Sequence, residues 1–447
     1  MDIAVVGTGY VGLVSGACLA DFGHTVVCVD ANPQRIEQLQ RGEVPFFEPG
    51  LGELVQRNAG AGRLRFTTDM AYGIRDAVVV LLAVGTPEGA NGAADLSQIE
   101  GAIRSITPHL DGKHRVIVTK STVPAGTGRW LAELLAQWAP AGAEVDVVSN
   151  PEFLREGSAV SDFMRPDRVV IGTSSERAAA VMKEIYRPLY LIETPVLMTD
   201  LATAEMIKCA SNAFLAVKIS FMNEIANLCD RAGADVHGVA KGMGLDKRIG
   251  SKFLHPGPGF GGSCFPKDTR ALVALGAELG VPQLIVENAI QVNERQKAIT
   301  FEKMEEALGG VRGRTVALLG LAFKPNTSDV REAPALHLCR ALIAAGARVR
   351  ACDPVAVDEA RAVLGAVAGE PTFTTDAYDA ASGADAVAII TEWNEYRSLD
   401  LTLLREVMSG RVIVDARNVL DPVAVVAAGF TYYSTGRQSV VSAAALV

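Results

Sequence analysis

The feature that most constrains the fold of this chain is the glycine motif G-T-G-Y-V-G at residues 7–12. Residues 3–6 before it predict a short buried strand, a helical pattern follows it, and residues 24–29 predict a second strand that leads to Asp30. This order of strand, G-x-G-x-x-G, helix, strand and acid is typical of a dinucleotide-binding unit, because the glycines let a pyrophosphate approach the backbone at a helix N-terminus. The motif residues expected to contact the dinucleotide are Gly7, Gly9, Tyr10, Val11 and Gly12.

Asp30 indicates which dinucleotide to expect. Its carboxylate would accept hydrogen bonds from the adenosine ribose and repel a 2′-phosphate, which favours NAD over NADP. Arg35 leaves the alternative open, because a guanidinium could accept the extra phosphate, although a solvated cation in the first turn of a helix explains it equally well. NAD is therefore the expected cofactor, with Asp30 and Arg35 as candidate contacts.

Apolar segments continue to alternate with helical ones as far as residue 171. The predicted strands are residues 77–84, 115–118, 145–148 and 168–171, and the predicted helices include residues 96–110 and 128–139. Buried strands that alternate with helices predict a parallel, doubly wound sheet, whose ligands lie beyond the carboxyl ends of the strands. The segments at those ends are residues 85–87, 120–124 and 149–157.

Four polar side chains in these segments are candidates for a site. Glu152 and Glu156 are four residues apart, so a helical turn would place both carboxylates on one side, facing the cofactor. Solvated surface glutamates are the ordinary alternative, but the preceding Asn-Pro and the intervening Arg155 favour a site. Thr86 and Thr122 are candidates as well, although both could simply form turns.

A long helix without Gly or Pro is predicted from residue 200 to about residue 228. Lys208 and Asn212 lie four residues apart on it, among apolar residues, and so share one face. A lysine there either extends its ammonium group to solvent or is buried for a function, and the helix alone does not decide between them. Further helices, at residues 236–243, 269–279 and 283–308, make this strandless region a predicted spacer and dimer core.

A thiol lies among these helices in a glycine-rich loop, residues 258–268, with the sequence P-G-F-G-G-S-C-F-P-K-D. Glycines before Cys264 permit close approach of the backbone to a ligand, while Lys267 and Asp268 can tune a thiol and transfer protons. The alternative is an inert cysteine in a glycine-rich loop. The other six cysteines lie in helix or strand patterns and are expected in the core: Cys18, Cys28, Cys209, Cys229, Cys339 and Cys352.

A second α/β unit is predicted to begin near residue 313. Its elements are a strand at residues 315–319, a turn containing Lys324, a helix at 333–345, and strands at 348–354, 386–390 and 411–415, with Arg417 after the last. The layout repeats the first unit without the G-x-G-x-x-G motif, so Lys324 as well as backbone amides would hold a phosphate there. The tail after Arg437 has no periodic pattern and is predicted to be flexible.

Composition and charge exclude several other classes of protein. With 447 residues the chain is long enough for two or three domains, and its net charge of -9 argues against nucleic acid or an anionic membrane as partner. No apolar run approaches the length of a membrane span, and no basic leader precedes the first strand, which predicts a cytoplasmic protein. Seven cysteines in so long a chain do not predict a disulfide framework, and because no CxxC pair suggests zinc, no metal site is expected.

These residues together suggest a dehydrogenase that uses a thiol covalently. A thiolate can add to an aldehyde, the thiohemiacetal can give up a hydride to NAD, and the resulting thioester can be hydrolysed to an acid. A lysine near the tetrahedral oxygen would stabilise its charge. The rival interpretations are a non-enzymatic NAD sensor and an epimerase or dehydrogenase that stops at the aldehyde, and none of these needs the cysteine.

The sequence resembles the nucleotide-sugar 6-dehydrogenases over nearly its whole length. The shared motifs, in order, are GTGYVG, VGTP, KSTVP, SNPEFLREG, the helix with Lys208 and Asn212, FGGSCFPKD and GLAFKPNTSDVRE. The resemblance implies that two NAD⁺ oxidise the 6-hydroxyl of a sugar nucleotide to a carboxylate. It also implies two Rossmann-like α/β domains, for NAD at residues 1–198 and for a UDP-sugar at 309–447, joined by a helical dimerisation domain at 199–308.

The resemblance also implies roles for individual residues. Cys264 would be the nucleophile, Lys208 would stabilise the alkoxide or oxyanion, and Asp268 would assist it in activating water or moving protons. Thr122 and Glu152 would hold the catalytic water, with Glu152 the candidate base for thioester hydrolysis. The implied NAD contacts are Thr86, Thr122, Glu156, Lys267 and Arg331. The implied sugar-nucleotide contacts are Glu152, Phe153, Leu154, Arg155, Glu156, Lys208, Asn212, Phe253, Gly257, Gly261, Phe323, Lys324, Arg417 and, from the neighbouring subunit of a homodimer, Arg248.

UDP-glucose is the expected substrate and UDP-glucuronate the expected product. Ser263, before the cysteine, fits the members of the family that act on UDP-glucose, whereas a histidine is expected there in relatives that use N-acetylated sugars. GDP-mannose remains the alternative, because its enzymes keep a similar loop. A uronic acid of this kind would be used in polysaccharide synthesis or lipid modification.

Overall fold

The computed structural model describes residues 1–365, 369 and 371–440. The chain divides into two compact units, residues 1–211 with 271–281, and residues 212–270 with the chain from 282 onward. The predicted flexible tail after Arg437 falls mostly on residues 441–447, which lie outside the described residues. Among the described residues, no helix combines the length and apolar character needed to cross a bilayer.

The first unit contains an eight-stranded sheet. Its strands are β1 (Asp2–Val6), β2 (Thr25–Val29), β3 (Leu64–Thr67), β4 (Val79–Leu82), β5 (His114–Thr119), β6 (Glu144–Ser149), β7 (Val169–Gly172) and β8 (Val196–Thr199). They are ordered β3-β2-β1-β4-β5-β6-β7-β8, and neighbours are parallel except for the antiparallel pair of β6 and β7. The strand order reverses between β1 and β4, which is where such sheets bind their ligands.

Helices cover both faces of this sheet. They are α1 (Tyr10–Asp21), α2 (Pro33–Gln40), α3 (Leu51–Gly60), α4 (Met70–Ile74), α5 (Ser97–Ile106), α6 (Thr127–Trp138), α7 (Ala159–Met164), α8 (Glu176–Ile185) and the first part of α9 (Leu201–Ala232), with 3₁₀ helices at Thr107–His109 and Arg187–Ile192. In β1, Ile3 and Val5 join one buried cluster while Ala4 and Val6 join another. Because successive side chains point to opposite faces and both faces are covered, the strand is a continuous apolar run.

The second unit contains a sheet of similar architecture with six strands. They are β9 (Thr315–Leu319), β10 (Arg348–Cys352), β11 (Thr372–Thr374), β12 (Ala386–Ile389), β13 (Val412–Asp415) and β14 (Thr431–Ser434). All neighbours are parallel, in the order β11-β10-β9-β12-β13-β14, which is the order of the first six strands of the other sheet. The two Rossmann-like sheets predicted from the sequence are therefore both present.

The chain between β8 and β9 contains helices and no strand among the described residues, as predicted. The remaining helices are α10 (Val236–Gly244), α11 (Phe265–Glu278), α12 (Leu284–Leu308), α13 (Pro334–Ala344), α14 (Val357–Leu364), α15 (Ala377–Ala381), α16 (Asn394–Arg397), α17 (Leu401–Val407) and α18 (Pro422–Ala427). The predicted start of one helix at residue 269 is wrong, because α11 begins at Phe265. Lys267 and Asp268 consequently lie on the first turn of a helix and not in the glycine loop.

The sequence patterns failed in one systematic way. The four strands that they did not predict, β3, β8, β11 and β14, are the four edge strands of the two sheets. Each of them has three or four residues, and β3, β8 and β11 are only partly buried. Short, less covered edges carry a weak apolar pattern, so periodicity identifies central strands more readily.

Candidate active site

The glycine motif forms the turn between β1 and α1. Gly7 has a φ of +99°, and a Cβ atom there would lie 2.7 Å from the carbonyl oxygen of Ala83. A Cβ atom on Gly12 would lie 1.9 Å from the carbonyl oxygen of Gly7, whereas one on Gly9 would meet none of the described atoms within 4 Å. The motif therefore combines a tight turn with one open backbone position at the start of α1, which fits a bound pyrophosphate.

Asp30 is hydrogen-bonded to the same turn. It accepts from the backbone N–H and the hydroxyl of Thr8, both at 2.7 Å, and its Oδ2 lies 3.5 Å from Nη1 of Arg35. Burial would raise the pKa of Asp30, but the hydrogen bonds from Asn32 and Thr8 and the charge of Arg35 together hold the pKa below its ordinary value. An ionised acid at this position fits ribose hydroxyls and repels a 2′-phosphate, so these residues suit NAD.

Glu48 is a buried part of this region that the motifs did not predict. It accepts hydrogen bonds from the hydroxyl of Tyr10, from the N–H of Gly157 at 2.6 Å and from the N–H of Ala159 at 2.7 Å. Burial, followed by the contact with Glu48, raises the pKa of the Tyr10 hydroxyl. Glu48 thereby connects the glycine motif to the segment of residues 149–157.

Lys208 and Glu152 form a buried ion pair in the first unit. Their Nζ and Oε1 atoms are 3.0 Å apart and both side chains are 4% exposed. The ring of Phe153 also lies 5.4 Å from the Lys208 ammonium. The open question about Lys208 is thus answered, because its ammonium group is buried and does not extend to solvent.

The predicted helical turn at Glu152 is wrong. Residues 151–155 are irregular, and Glu152 accepts a hydrogen bond from the N–H of Leu154, only two residues away. Glu156 lies just beyond, at a turn, and Arg155 is largely exposed and paired with Asp162. The carboxylate of Glu152 therefore takes its position from Lys208 and from its own loop, and no helical turn places it beside Glu156.

Two further segments meet at the carboxyl edge of this sheet. The hydroxyl of Thr86 donates to the carbonyl oxygen of Thr122 at 2.9 Å, so the segments after β4 and β5 are hydrogen-bonded. The Nζ atom of Lys120 donates to Oδ1 of Asn150 at 3.1 Å, which joins the segments after β5 and β6. The three segments predicted at strand ends thus form one connected edge.

In the second unit, Cys264 is the residue immediately before α11. Its sulfur lies 3.4 Å from the hydroxyl oxygen of Ser263, and its carbonyl oxygen accepts from the N–H of Asp268 at 2.8 Å. The thiol is partly exposed, while the other six cysteines are buried as predicted, and burial raises the pKa of Cys28, for example, to about 12. A helix N-terminus favours a thiolate, so the surroundings of Cys264 fit the nucleophile that the sequence predicts.

Asp268 is buried one helical turn after Cys264. It is 1% exposed, and its two carboxylate oxygens accept from Nζ of Lys267 at 2.7 Å and from Nδ2 of Asn212 at 2.6 Å. Asn212 in turn lies one turn after Lys208 on α9. The long helix therefore carries two buried polar side chains on one face, and each contacts a carboxylate.

The glycine loop before Cys264 is closely packed against the turn region after β9. A Cβ atom on Gly261 would lie 2.4 Å from the carbonyl oxygen of Glu332, and one on Gly262 would lie 2.7 Å from the ring of Phe323. The N–H of Gly262 also donates to the carbonyl oxygen of Arg331 at 2.8 Å. These glycines are therefore required by packing, and they set the path of the chain into Cys264.

Several predicted sugar-nucleotide residues lie in the same unit. Arg417 donates from Nε to the Ile390 carbonyl at 2.8 Å and from Nη2 to the Phe323 carbonyl at 3.1 Å, and a Cβ atom on Gly257 would lie 2.9 Å from its Nη1. The Lys324 ammonium lies 5.2 Å from the ring of Phe323. Arg417, Gly257, Phe323 and Lys324 are thus brought into one neighbourhood.

Phe253 and Arg248 lie elsewhere in this unit. Phe253 has a φ of +62°, and its ring centroid lies 6.2 Å from that of Phe265, the first residue of α11. Arg248 is 88% exposed and pairs with Asp246, two residues before it. An exposed arginine of this kind is available to another molecule.

The second sheet differs from the first at the acid that follows its second strand. Asp353 is completely buried and accepts from the N–H groups of Leu321 and Ala322, at 2.7 and 3.0 Å, and from Nε1 of Trp393. Its carboxylate is enclosed by these donors, whereas the side chain of Asp30 is 12% exposed. Within the described residues, the glycine motif with a hydrogen-bonded acid at the end of the second strand is therefore a feature of the first sheet.

Three models of one family match consecutive parts of the chain. The NAD binding domain of the UDP-glucose/GDP-mannose dehydrogenase family matches residues 1–190, its central domain matches residues 202–295, and its UDP binding domain matches residues 317–422. The chain belongs to the UDP-glucose/GDP-mannose dehydrogenase family. As a member of this family it is an oxidoreductase with NAD as cofactor, and the NAD domain contains the glycine motif and Asp30.

Individual relatives cover almost the whole chain. A UDP-glucose 6-dehydrogenase from Rhizobium meliloti (strain 1021) is 51% identical over 98% of this chain and 100% of its own length. The structure of a UDP-glucose dehydrogenase from Pyrobaculum islandicum matches with a TM-score of 0.87 and 42% identity, covering 94% of each chain. A GDP-mannose dehydrogenase from Pseudomonas aeruginosa matches with a TM-score of 0.54 and 30% identity, covering 97% of this chain and 99% of its own.

Two further polar residues of this dehydrogenase, one buried and one exposed, were not predicted from the motifs. Glu205 on α9 is 2% exposed and accepts from the N–H groups of Gly126 and Gly128, both at 2.7 Å; burial raises its pKa. Glu332 pairs with Arg270 and Lys297 beside the glycine loop. A usable signal existed for Glu332 and Lys120, because both lie inside motifs that the family resemblance rests on.

Proposed function

We propose that this enzyme oxidises UDP-glucose to UDP-glucuronate in two successive oxidations at C6, followed by hydrolysis of a thioester to Cys264. The position of the thiol at the start of α11, with the buried Asp268 on the first turn, carries this proposal. An enzyme that released the aldehyde would need no nucleophile there. When bound at the glycine motif, NAD⁺ supplies the hydride acceptor for both oxidations.

The covalent steps follow from the chemistry of the thiol. After the first oxidation, Sγ of Cys264 forms a bond with C6 of the aldehyde, and the former carbonyl oxygen carries the developing negative charge. Loss of the second hydride from C6 leaves a thioester. Water then adds to C6, the C6–S bond breaks, and the thiol is regenerated as the carboxylate product leaves.

Lys208 and Glu152 are proposed to act on oxygen atoms at C6. The buried ammonium of Lys208 can stabilise an alkoxide or oxyanion, because a cation in a site that excludes water interacts strongly with developing charge. Glu152, 3.0 Å from Lys208, can accept a proton from the water that attacks the thioester. Thr122 is proposed to hold that water together with Glu152.

Asp268 is proposed to assist these proton transfers. Its carboxylate is held from both sides by Lys267 and Asn212, so its orientation does not depend on the substrate. Asn212 is also proposed to contact the sugar. Lys324, Arg331 and Arg417 are proposed to contact the phosphates of a sugar nucleotide or of NAD, and the two arginines pair with Asp329 and Glu392.

The choice of UDP-glucose over GDP-mannose is supported by similarity. The relative named as a UDP-glucose 6-dehydrogenase is 51% identical, whereas the GDP-mannose dehydrogenase of known structure is 30% identical. Ser263 next to the nucleophile agrees with this choice. GDP-mannose remains the second candidate, since the family as a whole includes dehydrogenases for it.

One assay, which compares the turnover of three substrates, tests the proposed function. Purified protein is incubated with UDP-glucose, GDP-mannose or UDP-N-acetylglucosamine, each with NAD⁺ or NADP⁺. We expect two NADH for each UDP-glucose consumed, a uronic acid product, and little reaction with NADP⁺ because Asp30 repels the 2′-phosphate. One NADH with free aldehyde would contradict the thioester, and faster turnover of GDP-mannose would contradict the substrate.

We further propose a homodimer in which Arg248 contacts the sugar nucleotide of the neighbouring subunit. The 88% exposure of Arg248 supports this role, since its guanidinium is accessible to another chain. Mixed dimers of Arg248→Ala and Cys264→Ala should regain activity that neither variant has alone, because one site then holds both native residues. Absence of complementation in dimers shown to have mixed would contradict an action across subunits.

A cytoplasmic location is also proposed. All seven cysteines of the chain are free, which suits a reducing compartment. Recovery of the active enzyme mainly from an extracytoplasmic fraction would contradict this location.

A further inference from the structure

Lys120 is a buried cation held by uncharged groups. It is 5% exposed, and its Nζ atom donates to Oδ1 of Asn150 at 3.1 Å and to the hydroxyl oxygen of Tyr186 at 3.2 Å. The Tyr186 hydroxyl donates to the same Asn150 oxygen at 2.6 Å, which closes a triangle of three buried polar groups. The rings of Phe163 and Tyr186 lie 5.8 and 5.7 Å from the ammonium.

This triangle lies where two segments of the proposed hydrolytic site leave the sheet. Thr119 and Ser149 are the last paired residues of β5 and β6, so Lys120 and Asn150 are the next residue of each strand. Thr122 and Glu152 follow each of them by two residues. The hydrogen bond between Lys120 and Asn150 therefore joins the two segments. On each segment it lies two residues before the side chain that is proposed to hold water.

The triangle is also anchored to the rest of the sheet. The backbone N–H of Lys120 donates to the Leu82 carbonyl at 2.9 Å, and Nδ2 of Asn150 donates to the Val170 carbonyl at 2.7 Å. Tyr186 is the residue that follows α8. The two segments are thus held against β4, β7 and α8, and cannot shift independently while the triangle is intact.

Stability alone does not explain a lysine at this place. Burying an ammonium group without a carboxylate carries a desolvation cost, and apolar residues of similar volume are often as stable or more stable in such positions. A lysine with three donors can, however, hold two acceptors in a defined geometry, which a methionine cannot. The arrangement therefore suggests that the spacing of the two segments matters for function.

We propose that Lys120 and Tyr186 are positioning residues that set the distance between Thr122 and Glu152, and so place the water that hydrolyses the thioester. This inference rests on the proposed function. Neither residue touches the reacting atoms. Because the triangle acts on the Thr122 and Glu152 segments and not on Cys264, its loss should slow hydrolysis more than the two oxidations, and a displacement of about 1 Å can cost roughly 10²-fold in rate.

The test uses rapid-mixing measurements of NADH on the full-length enzyme, with Tyr186→Phe and Lys120→Met. For both variants we expect a burst of two NADH per active site, then a steady state roughly 10- to 100-fold slower than wild type. Intact mass during the steady state should show the sugar nucleotide bound covalently to the chain, and KM for UDP-glucose should change little. Tyr396→Phe, a buried tyrosine near Cys352 in the second unit, is the matched control and should show no burst.

The outcomes separate this inference from the proposed function. If the wild type forms no acid, or one NADH for each sugar, the proposed function is wrong. If the wild type forms two NADH but the variants show lower thermal stability without a burst or covalent adduct, the positioning role is wrong. Tyr186→Phe removes one oxygen atom and keeps the ring, so it remains informative if Lys120→Met does not fold.

Discussion

Replacing Cys264 with alanine should abolish formation of the uronic acid. Loss of the nucleophile removes both the thiohemiacetal and the thioester, so the second oxidation and the hydrolysis have no covalent intermediate to act on. We expect the rate of acid formation to fall by about 10⁴-fold or more, the scale seen when other enzymes lose a covalent nucleophile. The measurement is the production of NADH and acid from UDP-glucose at saturating NAD⁺.

Cys264→Ser and Cys339→Ala complete this experiment. Serine keeps the size of the side chain but is a weaker nucleophile, so intact mass after incubation with UDP-glucose and NAD⁺ should reveal a stalled adduct or released aldehyde. Cys339 is buried in α13, and its replacement should affect stability slightly and leave the stoichiometry at two NADH. Near-normal acid formation by Cys264→Ala would show that another group is the nucleophile.

Replacing Lys208 with methionine should cost both activity and stability. Removal of one group that stabilises an oxyanion typically lowers kcat by about 10²- to 10³-fold. The same change leaves the 4% exposed Glu152 without its cation, and breaking a buried pair typically costs about 3–5 kcal/mol in the free energy of unfolding. Steady-state kinetics and chemical denaturation measure the two losses separately.

A double variant tests whether the lost stability comes from the unpaired charge. Lys208→Met combined with Glu152→Gln removes both charges, so much of the lost stability should return while activity stays low. Lys303→Met is the control, because it also removes the lysine of an ion pair. Lys303 pairs with Asp230 in the second unit, outside the proposed site. If the double variant regained activity together with stability, the role of Lys208 would be structural and not catalytic.

The features of the site that were easiest to predict are those whose residue spacing follows directly from their chemistry. The G-x-G-x-x-G turn, Asp30 and the thiol before α11 were each found from a short local pattern, because glycine conformation and strand-to-helix turns depend on neighbouring residues. Predictions of side-chain position that assumed a particular backbone conformation were less successful. Glu152 and Glu156 suggested a helical turn, yet a hydrogen bond within residues 152–154 produces an irregular loop.

Residues that act through distant contacts were not predictable in this way. Glu48, Glu205 and Tyr186 carry no local signature, and their partners lie far along the chain. Tyr186 meets Lys120 and Asn150 only because α8 ends beside the adjoining strands. A buried polar group is satisfied by whatever the fold brings to it, so its role follows from topology and not from sequence spacing.

Residue order over short stretches was enough to predict the glycine motif, the apolar central strands and the family resemblance. The assembled fold was needed to show that Lys208 is buried against Glu152 and that Lys120 joins two strand ends. These facts depend on contacts between residues far apart in the chain. Such contacts form only when the sheet and its covering helices are assembled, and periodicity carries no record of them.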